Sequence, residues 1–122
     1  MILLNDFYTI LHSDASAGAI KATITINKNH RILEGHFPGL PVVPGVCMMQ
    51  IVREVMEVST GKELKISEAD NMKFLSVINP EQHPQVDVVV NYLEGEGKFV
   101  INATLLAGTV TFFKLKATLQ TT

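Results

Sequence analysis

The ten residues from His36 to Gly45, with the sequence HFPGLPVVPG, constrain the fold of this chain more than any other segment. They contain three prolines and two glycines, which remove backbone donors and demand backbone angles that helices and strands do not provide. The next fourteen residues, Val46 to Ser59, contain neither proline nor glycine, and Gly61 stands where helices commonly end. The sequence therefore predicts a stiff irregular loop that leads directly into a helix roughly 20 Å long.

The predicted helix is apolar around most of its circumference, which is typical of a helix covered on several sides. Its apolar residues are Val46, Cys47, Met48, Met49, Ile51, Val52, Val55, Met56 and Val58. The polar residues Gln50, Arg53, Glu54 and Glu57 recur at helical spacing and predict one polar stripe. Gln50 therefore has a plain interpretation as the most hydrated point of a buried helix.

Strand patterns occupy most of the remaining chain. The run from Ala22 to Asn27 alternates with a period of two and predicts a strand with one hydrated face. Further strands, separated by turns, are predicted at Leu64–Ile78, Val86–Leu93, Lys98–Leu106 and Thr109–Leu119. Apolar residues at helical spacing in residues 1–14 predict a short N-terminal helix or a tucked-in arm. Together these patterns predict one α+β domain over residues 1–122, an antiparallel β-sheet wrapped around one central buried α-helix.

Composition argues against several classes of protein. The net charge is −2 and the ten Lys and Arg residues are scattered, so no nucleic-acid partner is expected. The longest apolar stretch is too short to span a bilayer, and the first residues lack the basic character of a signal peptide. A single cysteine, Cys47, suits a reducing compartment. These features predict a cytoplasmic protein without membrane insertion.

The loop and the helix start also suggest a chemistry. Prolines brace His36, so its imidazole is held at little entropic cost on folding. Gly45 opens the helix, where backbone amides lack intrahelical partners and carry the positive end of the helix dipole. An imidazole beside such donors is suited to removing a proton next to a carbonyl, while the amides stabilise the developing enolate oxygen.

Other candidate groups have plainer interpretations. Cys47 has no histidine placed in sequence to activate it, so it is interpreted as a small buried hydrophobe. His12, His30 and His83 are scattered with no carboxylate at ligand spacing, so no metal site is expected.

The run GHFPGLPVVPGV, residues 35–46, resembles the signature of the hot-dog-fold (3R)-3-hydroxyacyl-acyl-carrier-protein dehydratases. The strand at Ala22–Asn27, the residues Met72 to Phe74, Pro80 and the turn at Gly97-Lys98-Phe99 occur in similar order, so the resemblance spans residues 18–119. It implies a hot-dog fold and a hydro-lyase that reversibly converts a 3-hydroxyacyl thioester into a trans-2-enoyl thioester in fatty-acid or related acyl metabolism. The implied carrier is acyl carrier protein or coenzyme A, and no cofactor is implied.

The resemblance also implies roles for individual residues. His36 would be the base that acts on the α-carbon, and the amide of Gly45 would bind the thioester oxygen. Gln50 stands fourteen positions after the histidine, where the family carries its catalytic acid. His36 of one subunit and Gln50 of the other would meet across the interface of a homodimer with two equivalent sites, alone or within a dimer of dimers or a trimer of dimers. The implied substrate-binding residues are Phe37, Pro44, Val46, Cys47, Met48, Ile51 and Phe74.

Gln50 is the one departure from the family pattern that bears on chemistry, because a primary amide donates a hydrogen bond but no proton. Three alternatives follow. His36 could itself carry the proton to the leaving hydroxyl while Gln50 orients it. Glu54 or Glu34 could substitute as the acid. Alternatively, the protein could hydrolyse acyl thioesters, or bind them as a catalytically impaired relative.

Overall fold

The computed structural model describes residues 1–35 and 39–122, and in these ranges it contains six strands and two helices. The predicted site residues His36 and Phe37 lie outside the described residues. The elements are β1 (Tyr8–Ser16), β2 (Ala19–Ile26), α1 (Ile32–Gly35), α2 (Gly45–Thr60), β3 (Leu64–Phe74), β4 (Gln85–Gly95), β5 (Lys98–Ala107) and β6 (Val110–Thr121). No helix in these ranges combines the length and the apolar content needed to cross a bilayer.

The six strands form one antiparallel sheet in the order β1-β2-β4-β5-β6-β3. The predicted meander is present as β4, β5 and β6. Its first turn uses two residues with positive φ, Glu96 at 53° and Gly97 at 75°, which matches the twist of a tight hairpin. Pairing of β2 with β4 and of β3 with β6 joins segments far apart in sequence and leaves β1 and β3 as the two edges.

Helix α2 lies against the inner face of the sheet, and the two share a single hydrophobic core. Strands β2, β4, β5 and β6 alternate buried and more exposed residues, as the period of two predicts. The helix buries Cys47, Met48, Ile51, Val52, Val55 and Met56 against them. The predicted α+β architecture with one central buried helix is therefore confirmed.

The N-terminal helix expected in residues 1–14 is absent, and that part of the prediction is wrong. Strand β1 begins at Tyr8, and Asn5 has a φ of 67°, which no right-handed helix accommodates. The amides of Asp6 and Phe7 instead donate to the carbonyl of Leu3, and Leu3 and Phe7 are buried. The alternative of a tucked-in arm describes this segment. Most of edge strand β1 is exposed. The apolar residues within it therefore do not mark the buried face of a helix.

Helix α2 ends where the sequence predicts. Gly61 has a φ of 71°, and its amide donates to the carbonyl of Glu57 at 2.9 Å. This left-handed conformation closes the last turn and suits glycine because it has no Cβ.

Replacement of this glycine tests the importance of the helix end. Gly61→Ala is expected to lower the free energy of unfolding by about 1 kcal/mol, because alanine is strained at positive φ. Gly95→Ala is the matched control: a Cβ has open space at both positions, but Gly95 does not have positive φ. Urea denaturation measures both, and an equal effect of the two substitutions would contradict the assignment.

Candidate active site

The first turn of α2 presents backbone donors without acceptors. Pro44 precedes the helix with extended φ and ψ of −62° and 147°, and no side chain caps the helix. The amides of Cys47 and Met48 donate to the carbonyl of Pro44 at 3.0 and 3.3 Å. The amides of Gly45 and Val46 donate to no acceptor in the described part of the chain. They lie at the positive end of the helix dipole, where a carbonyl oxygen or an anion is stabilised.

A mainly apolar cavity of about 470 Å³ opens beside this turn. Its lining residues are Val42, Val43, Pro44, Gly45, Val46, Met48, Phe74, Leu75, Ser76 and Val77. The amide of Val43 donates to the carbonyl of Ile78 at 2.9 Å, which ties the loop before the helix to the segment after β3. The cavity therefore lies between two segments that the structure holds together.

Phe74 forms the wall of the cavity that faces the start of α2. A Cβ built on Gly45 would lie 2.7 Å from Cε1 of Phe74, closer than real side chains approach one another. The ring of Phe74 also packs on that of Phe113, with a centroid distance of 5.0 Å. Gly45 is therefore needed for close approach of the aromatic ring to the helix backbone. It is not needed for backbone conformation, because Gly45 does not have positive φ.

The structure gathers some of the sequence-predicted residues and separates others. Pro44, Gly45, Val46, Met48 and Phe74 line the cavity. Two others belong to the hydrophobic core instead: Cys47 and Ile51. Burial raises the pKa of the Cys47 thiol, which agrees with its interpretation as a hydrophobe.

Glu54 is the most unusual polar group on α2, because it is fully buried. Its carboxylate accepts five hydrogen bonds. Three come from successive backbone amides, Ile2 and Leu3 to Oε2 at 3.0 Å each and Leu4 to Oε1 at 2.8 Å. The hydroxyl of Tyr8 donates to Oε1 at 3.0 Å, and Nε2 of Gln50 donates to Oε2 at 2.6 Å. A buried carboxylate is tolerable when donors satisfy it in this way.

The environment of Glu54 favours its ionised form. Burial by itself raises the pKa of the carboxyl, but the bonds from Gln50, Leu3, Tyr8 and Ile2 outweigh it, so the net pKa is lowered. Burial and the negative charge of Glu54 raise the pKa of Tyr8, so its phenol keeps its proton. Glu54 is therefore an acceptor whose partners are all donors.

These contacts correct the interpretation of the polar stripe and bear on the missing acid. Glu54 does not face solvent, so the stripe of which Gln50 is the first member is not a hydrated helix face. Because Glu54 is buried and its oxygens are occupied, it is poorly suited to replace the family acid.

Glu34, the other carboxylate considered as a substitute acid, is exposed on the short helix α1.

Sequence reasoning placed Glu54 in the polar stripe and missed its anchoring role. The signal available was its position between Ile51 and Val55 on the apolar face of the helix, where an unpaired charge would be costly.

In the described part of the chain, no three histidine, cysteine or carboxylate side chains cluster as metal ligands.

Comparison with known proteins identifies the family. Residues 12–109 match the family model of ApeI-like proteins, described as ApeI dehydratase. The chain belongs to this family of dehydratases, and the resemblance deduced from the HFPG loop is confirmed.

Curated relatives agree with this assignment. The chain is 31% identical over 108 residues to the 3-hydroxyacyl-[acyl-carrier-protein] dehydratase FabZ of Fusobacterium nucleatum, covering 80% of this chain and 77% of the relative. It is 31% identical over 120 residues to FabZ of Rhizorhabdus wittichii, covering 87% and 74%. The sequence therefore places the chain among the 3-hydroxyacyl-acyl-carrier-protein dehydratase-like hydro-lyases.

Solved structures confirm the hot-dog fold. A chain of the dehydratase heterocomplex ApeI:P from Xenorhabdus doucetiae has a TM-score of 0.71 at 18% identity, covering 91% of this chain and 96% of that one. A hypothetical thioesterase with coenzyme A from Streptococcus pneumoniae has a TM-score of 0.66 at 10% identity, covering 98% and 91%. At these identities the likeness concerns the fold alone.

The contact between Gly45 and Phe74 predicts strong non-additivity. Gly45→Ala is expected to lower the free energy of unfolding by about 1 kcal/mol, because the new methyl group must displace the ring. In a Phe74→Ala background the same substitution should cost less than half as much. Thermal denaturation of wild type, the two single variants and the double variant completes this double-mutant cycle. Additive losses of unfolding free energy would show that the ring does not press on this backbone.

The lowered pKa of Glu54 predicts acid sensitivity. Stability from its ionised form is complete above the ordinary carboxyl value of 4.5 and is lost as the pH falls toward the lower folded-state value. Glu54→Gln should cost about 3 kcal/mol at pH 7 and flatten the fall of stability below about pH 5.

The control for this prediction is Glu57→Gln, one turn later on α2. The carboxylate of Glu57 accepts a single hydrogen bond from the described residues, from the amide of Leu64 at 2.9 Å. Urea denaturation across the pH range compares the variants. If Glu57→Gln flattened the curve as much as Glu54→Gln, the acid sensitivity would not originate at Glu54.

Proposed function

We propose that this protein catalyses the reversible dehydration of a (3R)-3-hydroxyacyl thioester to a trans-2-enoyl thioester. One observation carries the proposal: Gly45 and Val46, whose amides have no acceptor in the described part of the chain, line an apolar cavity directly after the His36 loop. Membership of the ApeI-like dehydratase family and the 31% identity to FabZ proteins give independent support.

The proposed reaction has two proton transfers, both through His36. Its imidazole takes a proton from the α-carbon, and the amide of Gly45 stabilises the negative charge that develops on the thioester oxygen. The bond between C3 and the hydroxyl oxygen then breaks as the α,β double bond forms. The imidazolium returns its proton to the departing hydroxyl, which leaves as water.

The proposed division of labour follows from what each group can donate. Gln50 has no proton to give, and the five donors around Glu54 make its carboxylate a poor acid. The first alternative for the missing acid, transfer through His36 with Gln50 orienting the hydroxyl, is therefore favoured over an acid at Glu54. Because the carboxylate of Glu54 is buried and hydrogen-bonded on both oxygens, it is also poorly suited to act as the base of a thioesterase.

We assign the acyl chain to the cavity beside α2. Pro44, Val46, Met48 and Phe74 offer apolar contacts there, and Phe37 in the HFPG loop would add another. Two further residues predicted from the resemblance, Cys47 and Ile51, would support this wall from the core.

A second copy of the chain is the proposed partner. Strand β3 is a sheet edge whose outer side pairs with no described strand, and such edges readily pair with another chain. Large apolar side chains are exposed at and near its end, including Phe74 at 55%, Leu75 at 54% and Val77 at 59%. Val46, at the start of α2, is 70% exposed. A homodimer formed here would cover this patch and enclose the cavity.

The thioester carrier is proposed to be anionic, as both acyl carrier protein and coenzyme A are. The outer face of the sheet next to Phe74 supports this. Lys73 lies directly opposite Lys114 there, and Lys116 lies opposite Asn71 and Asn102. No acidic residue lines the depression between them, so their charge is available to an anion. The single cysteine, which is buried, fits the proposed location in the reducing cytoplasm.

Turnover of a 3-hydroxyacyl thioester by the purified protein tests the proposal, with enoyl absorbance as the readout. Wild type should produce enoyl thioester, and His36→Ala should reduce the rate by at least about 100-fold, since it removes the acid–base group. His12→Ala is the matched control and should keep the wild-type rate, because His12 lies on the exposed edge strand β1.

The same assay separates the alternatives. Free thiol released from acyl-coenzyme A, without enoyl product, would indicate a thioesterase. Binding of the thioester with neither product would indicate an acyl-binding relative. Wild-type turnover that His36→Ala leaves unchanged would contradict the proposed mechanism.

A further inference from the structure

We propose that Glu54 is a positioning residue that holds Gln50 by its amide nitrogen, so that the Gln50 carbonyl oxygen accepts a hydrogen bond from the substrate 3-hydroxyl. This inference rests on the proposed function and assigns a role to the residue that replaces the family acid. It makes Gln50 a substrate-binding acceptor, whereas the family position is occupied by an acid.

The direction of the Gln50 amide follows from the charge of its partner. An ionised carboxylate accepts hydrogen bonds and donates none. Apart from Gln50, four donors surround Glu54, three backbone amides and the hydroxyl of Tyr8, and they hold its carboxyl in the ionised form. Gln50 must therefore turn Nε2, and not Oε1, toward Glu54, and the contact of 2.6 Å is short enough to hold it there.

The other end of the amide is free to bind a ligand. Oε1 of Gln50 accepts no hydrogen bond from the described part of the chain, and the side chain is only half-buried. Gln50 follows Val46 by four residues, so the two lie on the same face of α2. Val46 lines the apolar cavity and carries one of the two amides that have no acceptor among the described residues. Gln50 itself lies beyond the residues that line the described cavity, so its carbonyl oxygen is proposed to meet a substrate that extends past the thioester site.

An acceptor at this position suits dehydration through His36. A hydroxyl has one proton to donate and two lone pairs. When its proton points at Oε1 of Gln50, its lone pairs are free to face the imidazolium. The departing water then carries the original hydroxyl proton together with the proton from His36, and Gln50 supplies none.

Anchoring by Glu54 makes this orientation stable. The carboxylate is itself held by three backbone amides and by Tyr8, so it does not need Gln50 to stay in place. If Gln50 rotated, its oxygen would face a carboxylate and both groups would lose a hydrogen bond. The N-terminal segment therefore acts on the active site through Glu54, without contributing a side chain to the reaction.

Ligand preference separates this role from a purely structural one. In a His36→Ala background, which leaves the substrate unreacted, calorimetry compares a 3-hydroxyacyl pantetheine thioester with the saturated acyl thioester of equal chain length. The parent is expected to bind the hydroxylated ligand about fivefold more tightly, the value of one ordinary hydrogen bond. Gln50→Met, which keeps the shape without an acceptor, should reduce this ratio to about one.

Substitution of Glu54 then tests positioning. Glu54→Gln lets the two amides pair in either direction, so the ratio should also fall toward one. Glu57→Gln is the control on the same helix and should keep the fivefold ratio. General loss of packing would weaken both ligands equally and leave the ratio unchanged. If circular dichroism shows that Glu54→Gln does not fold, the ligand ratio of Gln50→Met decides the test. That variant is expected to fold, because Glu54 keeps its four other donors.

Each result has a defined meaning. A ratio that stays near fivefold in Gln50→Met, or in folded Glu54→Gln, would overturn the inference. A ratio of one in the parent, with dehydration intact in wild type, would overturn the inference and leave the proposed function standing. Absence of both turnover and thioester binding in wild type would overturn the two together.

Discussion

The buried carboxylate of Glu54 connects three separate parts of this protein through hydrogen bonds. It draws together the first residues of the chain, the start of β1 at Tyr8 and the second turn of α2 at Gln50. An ionised group in a hydrophobic core is expensive unless donors surround it, and here backbone amides supply most of them. The N-terminal segment therefore folds as an arm around Glu54. The orientation of Gln50 follows from the same constraint.

The site beside this anchor depends more on backbone than on reactive side chains. Two amides at the start of α2 lack acceptors in the described residues, and the residues that carry them line a mainly apolar cavity. Phe74 can pack against this turn because Gly45 has no Cβ. A thioester carbonyl placed there would meet fixed donors, which is the arrangement that stabilises an enolate with little reorganisation.

Much of the architecture could be predicted because its signals are local. Proline and glycine delimit α2, and alternation with tight turns predicts the meander of β4, β5 and β6. The burial of Glu54 could not be predicted locally, since its backbone donors lie about fifty residues away in sequence. Residues 1–14 misled for a related reason: their apolar spacing resembles a helix, but tertiary contacts of Leu3 and Phe7 decide the outcome. The pairing of β3 with β6 is likewise a tertiary property.

The most direct test of this account is a crystal structure with an unreactive 3-hydroxyacyl pantetheine in which an amide replaces the thioester. We expect its carbonyl oxygen within about 3 Å of the amide nitrogen of Gly45, and its hydroxyl within about 3 Å of Oε1 of Gln50. The Nε2 atom of Gln50 should remain on Glu54. An analogue bound elsewhere, or a Gln50 amide released from Glu54 to donate to the hydroxyl, would contradict the account.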